Sequence, residues 1–111
     1  MLLPEMELSK QVCRVLDLNG FFYFHPANEG RRTPWERRAF KANGGKPGIP
    51  DLVIILQGGK IAFVELKTAN GRQSNHQKFF QEVVERRGHT YQIWRNINDA
   101  LTWCLQNGGR R

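Results

Sequence analysis

Cysteine, histidine and acidic side chains are all scarce in this 111-residue chain: two cysteines, three histidines, and ten Asp plus Glu against seventeen Lys plus Arg. Cys13 and Cys104 have no metal-ligand spacing and fall on the apolar faces of predicted helices, so they read as small core residues in a reducing compartment. His25, His76 and His89 are too scattered for a zinc finger or a histidine-metal nuclease, and no zinc site is expected. Only His25, beside a basic loop, is a candidate phosphate contact. No apolar run reaches the roughly 18 residues of a membrane span, and Met1-Leu2-Leu3-Pro4-Glu5 lacks the basic start of a signal peptide. The expectation is a soluble intracellular protein with no membrane partner, and no internal repeat or low-complexity tract interrupts it.

The shortage of acids leaves a formal net charge of +7 and a pI near 10.0. Such a balance points to a polyanionic partner through phosphate neutralisation and counterion release, although a plain solvated surface explains it equally well. The distribution is more telling. Residues 1–25 carry two basic and three acidic side chains, residues 26–50 six and two, and residues 51–111 nine and five. The length suits one domain over 1–111.

Residues 26–50 hold four prolines and four glycines together with Arg31, Arg32, Arg37, Arg38, Lys41 and Lys46. A long basic loop inside a small domain is usually functional or disordered. Within it Trp35–Ala42 is expected as a short helix, with Thr33 as N-cap and Pro34 in its first turn. The basic residues are expected to grip a nucleic-acid backbone, with His25 at one end of the loop.

Downstream, Leu52-Val53-Ile54-Ile55-Leu56 and Ile61-Ala62-Phe63-Val64 flank the turn signal Gln57-Gly58-Gly59-Lys60, which reads as a buried β-hairpin. Glu65 and Lys67 are two apart and share a face. A three-residue loop of Gly58, Gly59 and Lys60 would set Asp51 opposite Lys67 and diagonal to Glu65; a two-residue loop would set it opposite Leu66. Two carboxylates converging at the end of an apolar hairpin repel each other unless a cation lies between them. Mg²⁺ takes about six oxygen ligands, so Asp51, Glu65 and the Leu66 carbonyl would leave positions for water and a phosphate. Lys67 would then orient or deprotonate the attacking water, or offset charge on the transition state.

Pro50-Asp51 followed by Glu65-Leu66-Lys67 resembles the signature of the PD-(D/E)xK nuclease superfamily, and the surrounding residues resemble its VRR-NUC branch, the virus-type replication and repair nucleases. The likeness extends to Glu7 and Gln11, Phe24-His25-x-x-Asn28-x-Gly30, Lys46-x-Gly48-x-Pro50-Asp51, and Ser74-x-x-Gln77. It implies an α/β restriction-endonuclease-like core, a mixed sheet of about four strands flanked by helices. It also implies hydrolysis of DNA phosphodiesters with Mg²⁺ or Mn²⁺, with Asp51 and Glu65 as metal ligands, Lys67 as catalytic lysine, and Glu7 and Gln77 as accessory residues. The stand-alone type resembles Holliday junction resolvases, which implies branched DNA as substrate, a homodimer, and the cytoplasm of a bacterial or phage-infected cell. A nuclease of other selectivity and a non-catalytic DNA-binding module are the alternatives.

The remaining segments are expected to frame this site. Residues 4–19 read as a helix with Leu8, Val12, Val15 and Leu16 inward, and a polar stripe of Glu7, Gln11 and Arg14 that is either a solvated face or the edge of a site. Gly20–His25 reads as an aromatic strand whose rings enter the core. Arg72 lies in the loop after the Glu65 strand as a further DNA contact. A helix from Ser74 to about Arg87 turns Phe79, Phe80, Val83 and Val84 inward; Ser74-x-x-Gln77 is also a capping box, a purely structural role open to Gln77. Thr90–Arg95 reads as a strand and Asn98–Gln106 as a helix carrying Leu101, Cys104 and Leu105. Trp94, Trp103 and the aromatic strand are the candidates for a dimer interface.

Overall fold

Apolar side chains recur at Leu8, Val12, Val15 and Leu16, and they wind the first helix, α1 (Pro4–Leu18), with one stripe buried. The computed structural model describes residues 4–26 and 33–108. After α1 come β1 (Phe22–Phe24), α2 (Pro34–Ala42), β2 (Leu52–Ile55), β3 (Ile61–Leu66), α3 (Asn75–Arg86), β4 (Thr90–Trp94) and α4 (Ile97–Gln106). The strands form one sheet in the order β1-β2-β3-β4, antiparallel except for the β3–β4 pair. That parallel pair needs a crossover, and α3 supplies it. The mixed four-stranded sheet flanked by helices is the α/β architecture expected from the sequence.

One sheet face presents Leu52, Ile54, Ala62, Val64, Leu66 and Trp94 to α1 and α4, where Ala100, Trp103 and Cys104 complete the core. The other face carries Phe63 and Tyr91 under α3, with Phe80 edge-on to Phe63 at 5.2 Å. Over β1 and Ile55 of β2 this second face is exposed, while Val53 is buried. Phe22, Phe24 and Ile55 are 69%, 47% and 41% exposed, so two rings of the aromatic strand lie outside the core they were expected to enter, while Phe21 and Tyr23 pack against it. The alternation of a strand explains the split: one side of β1 packs on the core beside α1, and the other is exposed. Trp94 and Trp103 are core residues and are removed from the dimer candidates.

Single positions on two helices depart from the expected setting. In α3 Val84 is buried and Phe80 packs on Phe63 as expected but Phe79 is exposed, and in α4 the buried residues are Ala100, Trp103 and Cys104 while Leu101 and Leu105 face outward. The large indole of Trp103 fixes the inward face of α4 through contact with Phe21 and Trp94.

The hairpin turn sits one residue earlier than expected, which shifts the strand pairing by two residues. Gln57–Gly59 forms a short 3₁₀ turn in which Gly58 and Gly59 both have φ of 77°, and the Leu56 amide bonds to the Lys60 carbonyl at 2.9 Å. Lys60 therefore belongs to the ladder and the loop is Gln57-Gly58-Gly59. Ile55 pairs with Ile61 and Leu52 with Val64, so one more step brings Asp51 across from Glu65 rather than Lys67. Left-handed backbone at two successive glycines is what lets three residues close this turn.

The topology gives the sheet a polarity. β2 begins, and β1, β3 and β4 end, at the same edge; α1, α3 and α4 all start there. Three helix N-termini, each with a partial positive charge from unpaired amides, thus gather where Asp51, Glu65 and Lys67 stand.

Candidate active site

Asp51 immediately precedes β2, held by its neighbours on both sides. Its Oδ2 accepts a 2.8 Å hydrogen bond from the Leu66 amide on β3. His25 Nδ1 lies 2.6 Å from the Asp51 carbonyl oxygen. A carbonyl only accepts, so Nδ1 is the protonated ring nitrogen and His25 braces the Asp51 backbone. In an extended strand a residue's N–H and C=O point toward the same neighbour, so the Leu66 carbonyl also faces the Asp51 side.

Glu65, near the end of β3, is the buried polar or charged residue among the described residues, at 6% exposure. Gln77 Nε2 donates to its Oε2 at 2.9 Å, and Lys67 Nζ stands 3.9 Å from the same oxygen. Oε1 is buried with no hydrogen-bond partner. Burial, and next the charge of Asp51, push the Glu65 carboxyl up to about 8; Lys67 pulls the other way and Glu5 adds a small upward push.

The Gln77 side chain both caps α3 and reaches Glu65. The Ser74 hydroxyl accepts from the Gln77 amide at 3.1 Å and Gln77 Oε1 accepts from the Ser74 amide at 2.8 Å, completing the capping box of α3. The same side chain's Nε2 then remains for Glu65. Gly48 makes this approach possible. Its φ is +80°, and a Cβ there would stand 2.6 Å from the carbonyl atoms of His76 and 2.9 Å from the Gln77 amide nitrogen. The strand-leading segment of Asp51 and the first turn of α3 are thus in direct backbone contact, which only glycine permits.

A cleft of about 500 Å³ opens at Asp51, lined by Glu5, Met6, Ser9, Lys10, His25, Asp51 and Leu66. The acid that α1 brings to it is Glu5. Glu7 is exposed and is not among the lining residues. The reason is helical phase: Glu5, Leu8, Val12 and Val15 follow one stripe, and Glu7 lies about 200° around from Glu5. Ser9 and Lys10 are further cleft residues that the sequence reading missed. A charged residue in phase with a buried stripe, just beyond its last apolar member, was the available signal.

The other expected contacts are placed as follows. Arg37, Arg38 and Lys41 are exposed on α2, a helix with no buried residue, capped by Thr33 and Glu36 as a reciprocal pair. Lys46 is exposed on the way to β2, and Arg72 is exposed on the loop after β3. Arg31 and Arg32 lie outside the described residues.

Glu65 is the test of whether these residues suit a divalent cation. A buried carboxylate oxygen without a partner, beside a second carboxylate and held near one ammonium group, is short of positive charge. The donor set is all oxygen: Asp51, Glu65 and the Leu66 carbonyl. Among the described residues no group of three or more His, Cys, Asp or Glu converges. Two carboxylates plus a carbonyl suit a hard ion that keeps several waters, as Mg²⁺ does.

An Asp before one strand, a Glu-x-Lys at the end of the next, and a helix glutamine on the Glu define a nuclease core of the PD-(D/E)xK type. Residues 24–96, about two thirds of the chain, match the family model of the VRR-NUC domain. The chain belongs to the VRR-NUC family. Two solved structures share the fold. One, described as a VRR_NUC domain, is 23% identical with a TM-score of 0.67 over 94% of this chain and 97% of its own. The other, a VRR_NUC domain protein, is 22% identical with a TM-score of 0.72 over 96% of this chain and 89% of its own. No curated protein matches in sequence. VRR-NUC nucleases are generally dependent on a divalent metal, and the nuclease domain implies DNA binding. No helix of the described residues is long and apolar enough to cross a membrane.

Proposed function

We propose that this chain is a metal-dependent, structure-selective DNA endonuclease that cuts four-way junctions as a homodimer, in the cytoplasm of a bacterial or phage-infected cell. The observation that carries the hydrolytic reading is the pairing of Asp51 with Glu65 across the strand ends, with Lys67 3.9 Å from Glu65. Asp51, Glu65 and the Leu66 carbonyl would hold Mg²⁺ or Mn²⁺, and Glu5 takes the accessory position on α1 in place of Glu7. The ion supplies charge neutralisation at the phosphate and a more acidic water. Leu66 N–H and His25 fix Asp51, while Gln77 fixes Glu65. The Lys67 ammonium group orients the attacking water or offsets charge as the phosphodiester bond breaks. The helix N-termini at this edge favour a bound phosphate.

Selectivity for branched DNA rests on the resemblance of the site motifs to Holliday junction resolvases and on the basic, exposed α2, which would hold DNA backbone. The Phe22, Phe24 and Ile55 strip is the surface left to a second copy once both tryptophans are in the core.

The test is cleavage of a labelled four-way junction, beside duplex, single-strand and flap controls, with Mg²⁺, Mn²⁺ or EDTA, using wild type and Lys67→Ala. Paired symmetric nicks confined to the junction, absent in EDTA and in the variant, are expected. Cleavage of the controls instead moves the substrate to another DNA structure, and no cleavage of any substrate overturns the enzymatic reading.

A further inference from the structure

Arg95 follows β4 at the edge of the sheet that holds the site. Its Nη1 lies 2.8 Å from the Thr68 carbonyl, 2.7 Å from the Gly71 carbonyl and 3.4 Å from that of Ala69. Its own amide donates to Asp99 Oδ2 at 2.8 Å, and Asp99 is held by the Asn96 cap of α4. The side chain is therefore a strut from the first turn of α4 into the loop that leaves the Glu65–Lys67 strand. Carbonyl oxygens that converge on one point repel, and a guanidinium group among them removes the repulsion.

That loop touches Lys67. Gly71 closes the turn by donating to the Thr68 carbonyl at 3.1 Å, and a Cβ at Gly71 would stand 3.3 Å from Lys67 Cδ. Glycine lets the backbone lie along the lysine stem. The 3.9 Å between Nζ and Glu65 is longer than a hydrogen bond, and the Lys67 side chain is only 13% exposed. A four-carbon stem with that loose a hold at its tip is placed by what packs along it.

We propose that Arg95 is a positioning residue that fixes Lys67 by clamping the Thr68–Gly71 turn against its stem. The role rests on Lys67 acting in the proposed nuclease, but the clamp itself is a property of the metal-free protein and is read without cleavage.

The first arm is reductive methylation of the metal-free protein, followed by mass spectrometry, for wild type, Arg95→Ala and Arg95→Lys. Lys67 is expected to label several-fold faster in Arg95→Ala and at an intermediate rate in Arg95→Lys, whose single ammonium point charge cannot span three carbonyls. Lys60, at the opposite end of β3 from Lys67, should not change. The second arm is single-turnover junction cleavage, where the rate is expected to fall about tenfold or more with affinity within about twofold, and added guanidinium to restore part of the loss in Arg95→Ala. Unchanged Lys67 labelling in both variants overturns the clamp. A rise shared equally by every lysine also overturns it, because that is general loosening. A wild type that cuts no DNA overturns the nuclease reading and leaves the labelling result to decide the clamp.

Discussion

Replacing Glu65 by glutamine should make the metal-free protein more stable, although it removes a proposed ligand. The Glu65 carboxyl is pushed from 4.5 up to about 8, first by burial and then by Asp51. Each unit is about 1.36 kcal/mol, so at pH 7, about 2.5 units above the unfolded value, the unfolded chain gains about 3 kcal/mol by ionising while the folded carboxyl holds its proton. Water reaching the Asp51 cleft screens part of this and leaves about 1–2 kcal/mol. The sign is that of a raised carboxyl: its contribution is fully present below pH 4.5 and is lost as pH rises through about 8. Glutamine carries no such charge, keeps the shape, and still accepts from Gln77. At several degrees of melting temperature per kcal/mol, the variant should melt about 5–10 °C higher at neutral pH. The assay is thermal unfolding in EDTA from pH 5 to pH 9, followed by the fluorescence of Trp94 and Trp103, which are packed 5.7 Å apart. The gap should be small at pH 5 and level off above pH 8. Added Mn²⁺ should raise the wild type and leave the variant nearly unmoved, since only binding to the folded state stabilises it. A variant that melts below wild type in EDTA, or a gap equal at pH 5 and pH 9, would refute the reasoning.

Three further outcomes are expected. Gly48→Ala should lower stability by about 1–3 kcal/mol and slow cleavage, since left-handed backbone and contact with the His76 carbonyl both oppose a Cβ; chemical denaturation and single-turnover rates check this. Gln77→Glu should retain the capping box, with α3 helicity by circular dichroism intact, yet abolish cleavage by setting a third carboxylate against Glu65; Gln77→Ala should lose both, with stability falling by about 1 kcal/mol. Reversing the charges of Arg37, Arg38 and Lys41 should weaken junction binding and flatten its salt dependence by about one unit of slope for each phosphate no longer neutralised, measured by anisotropy titration across ionic strength; an unchanged slope would remove α2 from the interface.

Much of the fold was legible because local signals agreed. Pro4, the Leu8-Val12-Val15-Leu16 stripe and Gly20 marked α1, the Thr33-Pro34 pair marked α2, and the two β-branched runs about the glycine pair marked the central hairpin. Asp51, Glu65 and Lys67 were candidates because the hairpin and the Glu-x-Lys spacing are short-range patterns, whereas the capping box gave Gln77 only a structural role and the resemblance alone tied it to them. What lay beyond reach depends on phase and register. The one-residue difference in the hairpin turn was set by how two left-handed glycines close it, and composition does not fix that. Glu5 rather than Glu7 reaches the cleft because 100° per residue along α1 is measured from a core whose depth is unknown until the sheet is built. Phe79, Leu101 and Leu105 looked inward by hydrophobicity alone but are exposed, and on α4 Trp103 takes the inward place. Arg95 carried no sequence signal, since its partners are backbone carbonyls 24 to 27 residues away.

The opposite edge of the sheet offers a handle. The Gln57–Gly59 turn lies a full strand length from Asp51, and neither Gly58 nor Gly59 has any atom within 4 Å of where a Cβ would be built. A fluorophore or an affinity tag spliced there would ride on the β2–β3 ladder without entering the cleft. The molecule can therefore be tethered, oriented on a surface or watched one copy at a time from its idle end while the working end stays untouched.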